Sequence, residues 1–424
     1  MRVAAADQSI EDVVAATGGA DLVVGIPSYN NGKTIGHVAA TAVHGLSTFF
    51  AGRPALVLNS DGGSADGTST AMVAAGSAAC ESLDETHRRW IRIESMRYRG
   101  PSGKGSAFRD IFEVAERVNA VAVVVLDADL RSVSPEWIDR LASPIVSGRF
   151  DFVTPLYKRH KFDGTITNNI IYPMTNALFG GDIRQPIGGD FGVGTPLVRA
   201  YVADTVWETD VARFGVDIWM TTTALVNGFR VAQAHLGAKV HDPKDPGQHL
   251  AKMLVEVVGT WFDLVERYSQ AWANGDGSAP AAPRLGSEPA SDVTHVNVNV
   301  DSLLDQFRFG VETLTPIYAS VLPAALVERF GAISAGAGAM PFDDSTWART
   351  VYAFALAYRR RALPVQQLLS SLTPLYLGRV ASFVIANGNS SEEAAEKQVQ
   401  QLARVFRSLC PDFATEWRAE RSPQ

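Results

Sequence analysis

Residues 121–130 read V-A-V-V-V-L-D-A-D-L, an apolar, mostly β-branched run that stops at two carboxylates separated by one small residue. Such a run is stable only as a strand buried on both faces, so Asp127 and Asp129 are expected where that strand leaves its sheet. In open α/β sheets that edge is where ligands bind. Two hard oxygen donors there suit a divalent cation that in turn holds phosphate. The alternative is a D-x-D that only caps the following helix, with Arg131 neutralising one carboxylate.

Outward from this segment, residues 21 to about 241 alternate short apolar runs with helix-like stretches, the pattern of βαβ units around a mainly parallel sheet. Strands are expected at 22–26, 55–58, 90–94, 151–156 and 230–236. Helices are expected to begin near Lys33, Asp66 and Lys104 and after Ser134, where Pro135 suits the first helical position. Further helices fit 165–179 and 216–227. After Pro246 the periodicity becomes helical, at 249–271, 303–314, 347–361, 365–377 and 392–409. The stretch 274–291 is dense in Gly, Ala, Pro and Ser and reads as an exposed loop or flexible link. The expected organisation is an N-terminal extension (1–20), an α/β domain carrying the chemistry (21–246) and an all-helical C-terminal region (247–424).

With 424 residues and a formal net charge of −7, the chain is long enough for a large core and is not basic enough to point to nucleic acid. Its two cysteines, Cys80 and Cys410, lie far apart, which fits a reducing cytosol better than a disulfide scaffold. The first twenty residues lack a cationic region leading into an apolar core, and no apolar run reads as long enough to span a bilayer. A cytoplasmic protein without a membrane partner is expected. No heptad pattern is sustained, so a homodimer built on the helical tail stays open.

The polar loops form a series: P-S-Y-N-N at 27–31, S-D-G-G-S-A-D-G-T at 60–68, S-G-K-G at 102–105, D-A-D at 127–129, Q-P-I-G-G-D at 185–190, G-V-D at 215–217 and K-V-H-D at 239–242. Asp61, followed by two glycines, has the acceptor chemistry for the imide of a uracil or the amide of a guanine, although D-G-G-S is also a good turn. Lys104 between two glycines at a helix start suits an anionic or nucleotide ligand, while the full P-loop pattern is absent. His241, with Asp242 beside it, offers a nitrogen ligand to a cation on the D-A-D segment, or a structural histidine. Lys158, Arg159 and His160 form a group of donors suited to a carboxylate or phosphate, or a solvated basic turn. In Q-P-I-G-G-D, Pro186 stiffens the loop and the paired glycines let backbone pass close to a ligand, with Gln185 and Asp190 pointing in.

Together these motifs resemble the GT-A nucleotide-sugar glycosyltransferases. More narrowly, S-G-K-G-S-A, Q-P-I-G-G-D and L-G-A-K-V-H are similar to the retaining enzymes that make glucosyl-3-phosphoglycerate, glucosylglycerate and mannosylglycerate, whose patterns run close to P-G-K-G, Q-P-L-G-G-E and a strand ending in a metal-binding His. The resemblance covers about residues 21 to 250, and the helical tail is similar in kind to that of mannosylglycerate synthase. It implies a GT-A α/β domain with a helical C-terminal region. It also implies that Asp61 and Lys104 hold the nucleotide base, that Pro27, Ser28 and Tyr29 line its pocket, that Asp127 lies near the ribose or metal-bound water, and that Ala128 belongs to the nucleotide-sugar site. Asp129 and His241 would bind Mg2+ or Mn2+. Gly188, Gly189 and Asp190 would face the donor sugar, Asp217 the reaction centre, and Lys158 and Arg159 the acceptor's carboxylate, with Asp190 and Asp217 as the catalytic carboxylates. Two departures stand out: Asp190 occupies a position usually held by Glu, and Y-K-R-H replaces the usual basic acceptor segment.

The expected activity is transfer of a hexose from UDP-glucose, GDP-mannose or GDP-glucose to glycerate, 3-phosphoglycerate or a similar small anionic hydroxy acid. The alternatives are an inverting GT-A enzyme acting on polysaccharide or lipid, a sugar-1-phosphate nucleotidylyltransferase, and a non-catalytic nucleotide-sugar binder. A nucleotidylyltransferase would want a G-x-G-T-R-like loop where P-S-Y-N-N stands.

Overall fold

The computed structural model describes residues 8–240, 246–274, 279–290, 293–336 and 342–420. The chain divides into two compact units. One comprises residues up to 158 with 185–244 and 282–293; the other comprises 159–184, 245–281 and 294 onward.

The first unit is built on an eight-stranded sheet: β1 (Leu22–Ser28), β2 (Ala55–Asp61), β3 (Ile91–Arg97), β4 (Ala122–Val125), β5 (Phe152–Lys158), β6 (Phe191–Gly194), β7 (Val231–Ala238) and β8 (Arg284–Leu285), in the order β3-β2-β1-β4-β6-β5-β7-β8. β1 pairs in parallel with β2 and β4, and β2 with β3. β6 runs antiparallel between β4 and β5, and β5, β7 and β8 are again parallel. The consequence is geometric. The C-terminal ends of β1 to β5 and β7 share one edge, and the residue entering β6, Asp190, lies there too because Phe191 is opposite Val125.

β1, β2 and β4 are buried throughout, as the continuous apolar runs require of strands covered on both faces. One cover pairs helices Ile35–Phe49 and Pro135–Val146, whose Val38, Ala42, Leu46, Ile138, Leu141 and Ile145 recur at helical spacing and join a single core cluster. A Cβ at Gly45 would lie 2.5 Å from Ile138 Cγ1, so these helices cross at close range. Each fully buried Leu or Ile there contributes about 1.5–3 kcal/mol.

Two strands depart from expectation. β6 is four residues of F-G-V-G, too short and glycine-rich to show alternation, and it makes the sheet mixed. β8 lies inside the stretch expected as an exposed loop: Gln233 donates through its backbone N–H to Pro283 O at 2.9 Å and through Nε2 to Ala282 O at 3.1 Å, which draws that segment onto the sheet edge. The D-A-D segment does not cap the next helix, whose N-cap is Ser134.

The second unit is helical, with Tyr172–Phe179, Pro246–Arg267, Val300–Val321, Ala324–Ser334, Asp344–Arg360, Val365–Asn387 and Glu392–Ala419 as its main helices. Helix Val365–Asn387 corrects one expectation, because it is long and apolar enough to cross a membrane by length and composition; 78% of its apolar window is buried. Midway along it, buried Arg379 pairs with Asp344 at 2.8 Å and donates to Asn169 Oδ1 at 3.0 Å.

Candidate active site

At the ends of β1 and β2 two loops are laced together. Asn30 N–H donates to Ser64 Oγ (2.7 Å), Asn31 N–H to Thr68 Oγ1 (2.8 Å), Gly32 N–H to Asp66 Oδ2 (2.9 Å) and Gly62 N–H to Ser28 O (2.8 Å). The Thr68 hydroxyl and the Gly32 amide hold the Asp66 carboxyl below the usual carboxylate range. Asp61 is the keystone: its Oδ1 accepts from Ser28 Oγ (2.8 Å) and Ser64 Oγ (2.6 Å), and its Oδ2 from the amides of Gly63 (2.9 Å) and Ser64 (2.7 Å). Four donors fill a carboxylate's acceptor capacity, so Asp61 does the work of the D-G-G-S turn. Pro27 lies within β1, Ser28 is buried at its end, and Tyr29 is 60% exposed. A cleft of about 230 Å³ opens beside them, lined in part by Asp61, Ser64, Thr68 and Arg97.

A second cluster gathers charge where β4 ends. Thr34 Oγ1 donates to Ala128 O at 2.8 Å and fixes the D-A-D turn. Lys104 Nζ lies 2.7 Å from Asp127 Oδ1, 3.3 Å from Asp217 Oδ1 and 3.3 Å from Gly189 O. Lys239 Nζ lies 2.6 Å from Asp127 Oδ2, 2.7 Å from Asp190 Oδ2 and 2.8 Å from Gly188 O. Asp190 Oδ1 accepts from the Asp127 amide at 2.8 Å, and Tyr157 Oη donates to Asp190 Oδ2. Gly188 and Gly189 are demanded by this crowding: a Cβ on the first would overlap Pro155, and one on the second, at φ +93°, would overlap the Asp127 carboxylate. Gln185 does not point towards a ligand; it spans the backbone of Tyr157, donating to its O at 2.9 Å and accepting from its N–H at 3.1 Å, beside the irregularity in β5.

The electrostatics follow from burial and pairing. Burial opposes a charge on Lys104, but Asp127, Asp217 and Asp190 outweigh it and hold the ammonium protonated well beyond the usual lysine range. Burial likewise opposes the charge of Asp127, yet Lys104 and Lys239 hold its carboxyl well below the usual range. Asp190 and Asp217 are pushed up, chiefly by burial, with Lys239 opposing at the first and Lys104 at the second. Asp217, in the first turn of helix Val216–Val226, keeps a buried Oδ1 with no hydrogen bond of good geometry, despite its proximity to Lys104.

The glycines around Lys104 serve packing. A Cβ on Gly103 would lie 2.5 Å from Ala212 O, one on Gly105 would overlap Val211 O, and Gly105 N–H donates to Arg213 O at 3.0 Å. Lys158 ends β5, opposite Ala238. Arg159, in the second unit, pairs with Asp163 at 3.3 Å, and His160 there is 7% exposed and accepts from the Phe162 amide at 3.3 Å.

Among the described residues no group of three or more His, Cys, Asp or Glu side chains could hold a metal ion. A small divalent cation bound with a nucleotide needs only one or two carboxylates, since phosphate oxygens and water complete its shell. Both oxygens of Asp127 face ammonium groups, and Asp129, expected as a metal ligand, is half-buried in the turn after β4. His241 and Asp242 lie outside the described residues.

The structure thus brings Lys104, Asp127, Gly188, Gly189, Asp190 and Asp217 into one cluster and sets Asp61 with Pro27, Ser28 and Tyr29 in another along the same edge. Lys239 and Tyr157 were missed by sequence reasoning. The available signal was a lysine directly following a buried strand, a position tolerated only when its charge is paired.

A mixed sheet of this order, with a D-A-D turn and a lysine-carboxylate cluster at its C-terminal edge, has the layout expected of a GT-A glycosyltransferase. The family model of the mannosylglycerate synthase GT domain matches residues 47–261, more than half of the chain, and the chain belongs to that family. Solved structures similar to it include the glucosyl-3-phosphoglycerate synthase of Mycobacterium tuberculosis in complex with phosphoglyceric acid (20% identity, 62% of this chain and 85% of that one, TM-score 0.42). The same synthase with Mn2+, uridine diphosphate and phosphoglyceric acid gives 22% identity over 60% and 82% of the two chains, TM-score 0.43. A further mycobacterial protein gives 23% identity over 62% and 79%, TM-score 0.44. No curated protein matches the chain.

Proposed function

We propose that the chain is a metal-dependent, retaining hexosyltransferase that moves a hexose from UDP-glucose, GDP-mannose or GDP-glucose to glycerate, 3-phosphoglycerate or a similar small hydroxy acid. The observation that carries this reading is the cluster of Lys104, Asp127 and Asp217 at the sheet edge of a mannosylglycerate synthase GT domain. In the transfer, the bond from the anomeric carbon to the diphosphate oxygen breaks and its electron pair leaves with the nucleoside diphosphate. The acceptor's hydroxyl oxygen bonds the anomeric carbon from the same face and its proton passes to the departing phosphate. A retaining enzyme therefore needs no strong base on the opposite face.

Negative charge grows on the leaving group, and fixed cationic donors stabilise it more in the transition state than in the ground state. Lys104, expected at the nucleotide base, is assigned instead to that task, because its ammonium stays protonated between Asp127 and Asp217 at the end of β4. Mg2+ or Mn2+, held by Asp129 and His241, would add Lewis-acid stabilisation of the same charge. Asp217, whose Oδ1 stands 3.3 Å from Lys104 Nζ, is assigned to the reaction centre. Tyr29 offers an exposed ring to the base, in a loop that Asp61 holds in place, and Lys158 and Arg159 are assigned to the acceptor's carboxylate.

Incubation with each donor, Mg2+ or Mn2+, and a panel of glycerate derivatives tests the reading. Nucleoside diphosphate is expected only when an acceptor is present, and proton NMR should show an α-glycoside. A β-glycoside would make the enzyme inverting, and pyrophosphate release from a nucleoside triphosphate with a sugar phosphate would make it a nucleotidylyltransferase.

A further inference from the structure

The cluster at the end of β4 has an open side and a closed side. Side-chain exposure is 22% for Asp127, 16% for Lys104 and 11% for Asp217, but 5% for Lys239 and 0% for Asp190. The closed side is also saturated. An ammonium has three donors, and those of Lys239 meet Asp127 Oδ2, Asp190 Oδ2 and Gly188 O at 2.6, 2.7 and 2.8 Å, whereas Lys104 has one contact at 2.7 Å and two longer ones at 3.3 Å. Asp190 spends one oxygen on the Asp127 amide and the other on Lys239 and the Tyr157 hydroxyl.

We infer that Lys239 and Asp190 are positioning residues for the transfer reaction: with Tyr157 they lock the D-A-D turn to the Gly188–Gly189 backbone, and neither touches the sugar. The lock joins the ends of β4, β5 and β7 and the entry to β6. It orients Asp127 through Oδ2, so that Oδ1 faces Lys104 and, through it, Asp217. The lock thereby sets where the open-side charges stand, which matters because a misplacement of about 1 Å costs about 10²-fold in rate. Asp190 therefore leaves the reaction centre to Asp217, although both were expected as catalytic carboxylates. The inference rests on the transfer reading above.

Two substitutions in the full chain test it. Tyr157→Phe removes one bond of the lock with little change of shape, and Lys239→Met removes its charge. Wild-type turnover is measured first, and its absence would sink the transfer reading and this inference together. Given turnover, Tyr157→Phe is expected to lower kcat about fivefold, the worth of one hydrogen bond. Lys239→Met is expected to lower kcat by about 10–100-fold. In both, donor KM and the calorimetric Kd for nucleoside diphosphate with Mg2+ should stay within about threefold, because the donors of both residues are engaged within the lock. Adding Asp190→Asn to Lys239→Met removes the buried carboxylate stranded by the first change and should restore stability but not kcat, because Asp127 Oδ2 still lacks its donor; full recovery of kcat would overturn the lock. An unchanged kcat in Tyr157→Phe, or a Kd that weakens as much as kcat falls, would overturn the lock. Should Lys239→Met fail to fold, Tyr157→Phe alone decides by the same kcat-against-Kd split.

Discussion

Gly189 sits at φ +93°, a conformation that favours glycine, and any Cβ there would run into the Asp127 carboxylate and the Lys239 ammonium. Gly189→Ala is expected to cost about 1–3 kcal/mol, read from urea unfolding. An unchanged midpoint would mean that the loop has room the structure denies it. The neighbouring carboxylates illustrate how one residue type takes different tasks. Asp61 is consumed by its own turn, Asp127 is held ionised by two lysines, and Asp217 pairs more loosely with Lys104, at 3.3 Å. The sequence makes all three legible as carboxylates at strand ends. Their division of labour was not legible, because it depends on partners distant in sequence: Ser28 for Asp61, Lys104 and Lys239 for Asp127, and Lys104 for Asp217.

Among elements, the long and strongly periodic ones were readable. Helix Pro135–Val146 begins at its proline, and the D-A-D strand ends where its apolar run ends. β6 and β8 escaped because four and two residues carry no usable period, and their pairing is decided by neighbours distant in sequence. The segment after β5 shows a similar limit: K-R-H reads as a donor group, yet His160 is buried against the rings of His295 and Phe162, and its Nδ1 accepts a hydrogen bond. Burial holds its pKa below the ordinary histidine value; Glu392, 3.8 Å away in the first turn of helix Glu392–Ala419, and Asp163 oppose this, while His295 and Lys161 reinforce it. The unfolded chain then takes up the proton first, so stability is full above about pH 6.5 and falls as the pH drops from there towards the folded value. Wild type should lose more Tm between pH 8 and pH 5.5 than His160→Gln. Parallel curves would remove His160 as the cause.

At the scale of the whole molecule, a parallel α/β arrangement and a helical C-terminal region were legible from alternation followed by a change of period. Less legible was the membership of 159–184, which joins the helical unit although it interrupts the α/β sequence, and of 282–293, which returns to the sheet unit from within a glycine- and proline-rich stretch. Helix Val365–Asn387 was also under-read at this scale: it is long and apolar enough to cross a membrane, although no such run was expected, and 78% of its apolar window is buried. The central claim is that the charge gathered at one sheet edge grips the diphosphate of a nucleotide sugar. Calorimetric titration of UDP and GDP with Mg2+ into wild type and Lys104→Met tests it most directly. The account predicts that one of the two nucleotides binds wild type and that the substitution weakens its Kd by about tenfold or more, the loss of a charge-assisted contact. Equal affinity in both proteins would contradict it.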